Sequence, residues 1–194
     1  MGPRLRDTAG TVLTDSGPPL TVTAVTADDG RAFAVTVIPG PDSDCGTVEL
    51  WDLTTMRRIG APLAECDDVH TAAMSTVDGS PVVVTAGWDD TVRMWDPVAG
   101  RQIGAPVTVG GAGRITTAVV GGRPVAITAG RDEDLDVVRV WDLVSRRQLG
   151  QDLVFPYPVR ALAAAHGLVV GYGQLAAVLP LGNGDQRRAG SVAG

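Results

Sequence analysis

The sequence predicts an all-β fold made of about four small antiparallel sheets, and three observations lead there. Short runs rich in valine, threonine and isoleucine alternate with glycine, proline and aspartate turns along the chain, the pattern of strands closed by hairpins. Three segments align with one another, beginning at Val48, Val92 and Val138, and each carries a Trp-Asp pair, a turn and then Ile-Gly or Leu-Gly. The tryptophans Trp51, Trp95 and Trp141 stand 44 and 46 residues apart, a period that accommodates four strands.

The first repeat divides into strands over 21–27, 32–38, 47–51 and 58–63, and the second into strands over 69–76, 81–86, 91–95 and 102–107. The third gives 114–120, 124–129, 137–141 and 147–153; a fourth begins with 159–165, 168–172 and 176–181, then stops. The organisation expected is therefore an N-terminal outer strand and linker (1–19), three full repeats (20–63, 64–107 and 108–153), a partial fourth (154–181) and a flexible tail (182–194) rich in glycine and polar residues.

Three Trp-Asp dipeptides in register, each ending an alternating strand, make the chain resemble the WD40 repeat family from about Arg4 to Leu181. The resemblance implies WD40-type β-propeller blades, small sheets that bury their apolar faces by packing side by side. Trp51, Asp52, Trp95, Asp96, Trp141 and Asp142 are then the structural marks of the repeat, and the indoles supply large buried surfaces between blades. Family members often place a histidine before the first strand, linked through Ser or Thr and Asp to the tryptophan. Here Cys66 and Gly111 stand at its place, while Thr85 and Asp89 match the rest of that network in the second repeat, and Thr128 matches in the third. Blades are therefore expected to be held mainly by packing. Residues 8–13 could complete the last blade and close a four-bladed ring; a partial ring, a two-chain ring of eight blades and a fragment lacking further blades are the alternatives.

Composition narrows the chemistry. The net charge is −6 and the basic residues, all arginine, are scattered, against a phosphate-backbone partner, which needs a basic face. The abundance of arginine, alanine, glycine and valine suits a GC-rich bacterial coding sequence. Met1 to Asp7 contains no apolar run of signal-peptide or membrane-span length, so a cytoplasmic location with no membrane partner is expected, and Cys45 and Cys66 are expected to be reduced thiols. Neither His70 nor His166 has a second ligand at metal spacing. The acidic stretches Asp42–Asp44 and Asp132–Asp136 lack the length and glycine of a helical calcium loop and read as solvated hairpin insertions. No nucleophile elbow or phosphate-cradling loop occurs, so no enzyme activity, metal or cofactor is expected.

What remains is a non-catalytic protein–protein interaction scaffold, in the manner of the sensor or scaffold part of a larger regulatory protein, with a protein partner or a homo-oligomer. Thr23, His70, Thr116 and Arg160, aligned at the entries of the innermost strands, and Trp88 and Asp90 on a turn of the second repeat are the candidate contact residues. Trp88 lies outside the tryptophan register, where an exposed aromatic serves as an anchor or packs locally over the blade edge. The alternative, a small-molecule or enzymatic propeller using a central channel, needs converging carboxylates or histidines, and the innermost strands are mostly valine, threonine and alanine.

Overall fold

The computed structural model describes residues 21–27, 30–39, 46–64, 69–164 and 167–180, and its regular elements are all strands. The expectations for residues 1–19 and 182–194, the ring-closing segment 8–13, Asp42–Asp44, Cys45, Cys66 and His166 fall outside the described residues. Among the described residues no helix is long and apolar enough to cross a membrane.

The chain divides into two compact units, Met1–Val109 and Gly110–Gly194, each holding two small antiparallel sheets. In the first unit, blade 1 is the meander β1 (Thr21–Thr26), β2 (Ala32–Pro39), β3 (Gly46–Asp52) and β4 (Arg57–Ala64). Blade 2 follows as β5 (Val69–Val77), β6 (Ser80–Gly87) and β7 (Thr91–Asp96), with β8 (Arg101–Gln102) and β9 (Val107–Thr108) both paired to β7. In the second unit, blade 3 is β10 (Arg114–Val120), β11 (Arg123–Asp132), β12 (Leu135–Asp142) and β13 (Arg147–Phe155). Blade 4 is β14 (Val159–Ala164), β15 (Gly167–Tyr172) and β16 (Leu175–Pro180). Such up-and-down sheets of three or four strands are the blades of β-propellers.

Residues directly opposite on antiparallel strands share a face of the sheet, so register fixes what each blade presents. In blade 1, Trp51 lies opposite Ala34, and Ala34 opposite Ala24; this is the indole face. The other, plain face carries Phe33, Val35, Val37, Val48 and Leu50, all fully buried. It packs against Ala72, Met74, Val83 and Trp95 on the indole face of blade 2. The second unit repeats the joint: the plain face of blade 3, with Val125, Ile127, Val138 and Val140, packs on Leu162, Leu168, Val170 and Leu179 of blade 4. By register, Leu179 opposite Leu168 holds the tryptophan position of blade 4, and Val170 holds the position of Thr85.

Three expectations change. The strand expected over 102–107 is two short pieces, because Gly104 takes a left-handed φ of 69° and the chain bulges off β7 before returning at Val107. The acidic insertion at 131–136 is mostly ladder: Arg131 pairs with Asp136 and Asp132 with Leu135, leaving only Glu133 and Asp134 to turn. Among the indoles expected to be buried, Trp95 is 7% exposed, whereas Trp51 and Trp141 are only half-buried. Separately, Gly111 crosses the backbone of Gly130 and Arg131 so closely that a Cβ on either glycine would overlap the opposing carbonyl. No side chain fits at either glycine.

Candidate functional site

Each of the three Trp-Asp pairs makes the same two local arrangements. The indole Nε1 donates to a threonine hydroxyl on the neighbouring strand: Trp51 to Thr36 at 3.2 Å, Trp95 to Thr85 at 2.9 Å and Trp141 to Thr128 at 3.0 Å. All three threonines are buried, and a buried hydroxyl without a partner would be costly. The aspartate then caps the following turn. Oδ1 of Asp52 accepts the amides of Thr54 and Thr55, that of Asp96 those of Val98 and Ala99, and that of Asp142 those of Val144 and Ser145. These are Asx turns. The Thr55 amide holds the Asp52 carboxyl below its ordinary value, and the Ser145 amide does the same for Asp142.

A third position recurs that the repeat motif does not announce. Two residues before each tryptophan, on the indole face, stands an ion-paired side chain. Buried Glu49 accepts from Arg58 at 2.9 Å, and Arg93 donates to Asp89 at 2.7 Å. Arg139, only 12% exposed, bonds Asp152 at 2.8 Å, the Gly110 carbonyl at 2.9 Å, and Asp132. The hydrogen bond to Asp152 raises the Arg139 pKa, and the same bond, with one from Gln148, lowers that of Asp152. A second insertion aspartate, Asp136, accepts the Val159 amide at 2.7 Å and so fixes the start of β14.

Asp89, expected to join the network around Trp95, is instead engaged at the turn, where it accepts from the Thr91 amide and hydroxyl and from Arg93. Burial pushes its carboxyl up, but those hydrogen bonds outweigh it and leave the pKa lowered. The turn is the three-residue loop Trp88-Asp89-Asp90 closed by Asp90 at φ 58°, and the Asp90 carbonyl accepts the Val109 amide at 2.9 Å. Trp88 leads this loop, 68% exposed. Its ring stacks on His70 of β5, with centroids 4.2 Å apart.

The six candidate contact residues thus separate. His70, Trp88 and Asp90 come together at one end of blade 2. His70 and Arg160 sit at matching bulges, between Val69 and Thr71 and between Val159 and Ala161. Thr23 and Thr116 do not share that position: they lie opposite Val35 and Ile127, at the register of Ala73 in blade 2, in mid-strand. Counting from the strand starts aligned the four; the hydrogen-bonded register separates them. Among the described residues no group of three or more His, Cys, Asp or Glu is placed to hold a metal ion.

No protein-family model and no curated protein matches the chain.

Proposed function

We propose that the chain is a non-catalytic interaction module of the WD-repeat type that binds a protein partner through the end of blade 2, as the sensor or scaffold part of a bacterial regulatory system. Support for the repeat type comes from the three Trp-Asp pairs in register, each with a threonine under the indole and a turn capped by the aspartate. The observation that carries the binding site is Trp88, a large aromatic 68% exposed on a turn tied down on both sides. An indole pre-stacked on His70 loses little freedom on binding, and such rigid aromatics dominate interface energies.

Affinity capture from the native cell, comparing the wild-type chain with Trp88→Ala and with Val119→Ser, a change at an exposed site on blade 3, tests this. A protein held by wild type and Val119→Ser should bind Trp88→Ala about 30-fold more weakly, the loss of a hot spot of about 2 kcal/mol. Equal capture by all three chains would refute the assignment.

A further inference from the structure

We propose that the end of blade 3 carrying Arg123, Arg146 and Arg147 binds an acidic segment of a protein partner, with Val144 as an apolar contact beside them. The hairpin ladders of the second unit bring these residues together. Arg147 on β13 lies opposite Asp142, and Asp142 lies opposite Val125 on β11. Arg123 begins β11 two residues before Val125, and the Pro124 carbonyl between them accepts the Leu143 amide at 3.0 Å. Arg146 closes the turn after Asp142, its amide bonded to the Asp142 carbonyl at 2.8 Å. All three arginines are exposed, and Val144 on the same turn is 62% exposed.

Holding this turn together does not need three cations. Asp142 is buried; the Ser145 amide, and more weakly Arg123, keep it charged. In blade 2, Asp96 caps the equivalent turn through the same two amide bonds. There Ser80, Gly100 and Arg101 stand at the places of Arg123, Arg146 and Arg147, so one arginine suffices. Arg146 is moreover held at φ 57°, a conformation that Gly100 adopts without strain. Two of the three arginines are thus surplus to the turn.

Their charge is not spent elsewhere: among the described residues none of the three forms an ion pair. The unit's described carboxylates other than Asp142 lie toward the opposite end, where β11 turns into β12 and Asp152 meets Arg139. Positive charge gathered on one hairpin draws anions, and guanidinium forks pair with carboxylates through two parallel hydrogen bonds. A nucleic-acid backbone needs an extended basic track. Three arginines around one turn, with an exposed valine among them, suit a short acidic peptide instead.

Fluorescence anisotropy with the full chain and a labelled glutamate-rich peptide carrying one central leucine tests this. Arg146→Gly and Arg147→Gln should each weaken binding about fivefold. Arg131→Gln, which removes an exposed arginine from the opposite end of the blade, should bind as wild type does. Arg146→Gly is the sharper variant, because it should melt above wild type while binding less, a combination that mere support of the turn would not give. If Arg147→Gln fails to fold, Arg123→Gln takes its place. An oligothymidylate of equal charge should bind wild type more weakly than the peptide. No binding of the peptide, equal binding by Arg146→Gly and wild type, an equal loss with Arg131→Gln, or an oligothymidylate held as tightly as the peptide would each overturn the proposal.

Discussion

The two units solve the same packing problem with different chemistry. Between the sheets of the first unit sits an indole bonded to a buried hydroxyl, Trp95 on Thr85. At the same two positions in the second unit are Leu179 and Val170, with no polar atom in either side chain. Blade 4 nonetheless keeps the antiparallel register and the entry bulge of blade 2. What stacks these sheets is therefore apolar volume against a plain face, and the Trp–Thr bond is a local answer to having placed a hydroxyl there. Recurrence of the Trp-Asp pair marks where the third strand of a blade ends; it is not what makes the blade pack.

The largest effect should come from removing that volume. Trp95→Ala should cost about 3–5 kcal/mol, and Trp51→Ala, from a half-open face, about 1–2 kcal/mol, measured by denaturant unfolding at low protein concentration. Equal losses would mean that the two indoles do the same job, and the contrast between covered and open faces would fail. The next test exchanges the chemistry. Thr85→Val should cost about 1 kcal/mol through the orphaned indole N–H, while the reverse change, Val170→Thr, should cost about 1–3 kcal/mol by burying a hydroxyl with no indole beneath it. A neutral Val170→Thr would show that the two sites are not equivalent.

Acid should distinguish the turns next. The Ser145 amide favours the charged form of Asp142 in the folded chain, so its contribution is complete above the ordinary carboxylate value and fades as pH falls below it. Asp142→Asn should therefore be less stable than wild type at neutral pH, with the gap narrowing near pH 3 in melting experiments; a constant gap would contradict the capping role. The smallest effect concerns the fourth residue after each of these aspartates, where Met56, Gly100 and Arg146 all adopt positive φ. Met56→Gly and Arg146→Gly should each stabilise by about 0.5–1 kcal/mol, whereas Gly100→Ala should destabilise by a similar amount.

Much of this architecture was legible because alternation and turn residues leave direct marks: the strands around Trp51, Trp95 and Trp141 fall within a residue or two of their expected bounds. Conformations that leave no composition signal were not. Residues 102–107 read as one strand because a left-handed Gly104 looks like any glycine. Thr23 and Thr116 were misaligned with His70 because the apparent strand starts lie at different depths in their sheets, so that both threonines fall at the register of Ala73, three residues beyond His70. Thr36 was missed as the partner of Trp51 because the three threonines precede their tryptophans by 15, 10 and 13 residues, a spacing set by hairpin length. Arg139 gave no sign of its two aspartates, since one lies before it and the other 13 residues beyond.

The stacking of indole-type faces on plain faces is tested most directly by replacing the chain's four tryptophans with 5-fluorotryptophan. The solvent isotope shift of each fluorine is then read in dilute solution, with resonances assigned by single substitution. Trp88 should respond most to deuterated water, Trp51 and Trp141 less, and Trp95 least, shielded between two sheets. A Trp95 resonance as solvent-sensitive as that of Trp88 would contradict the account.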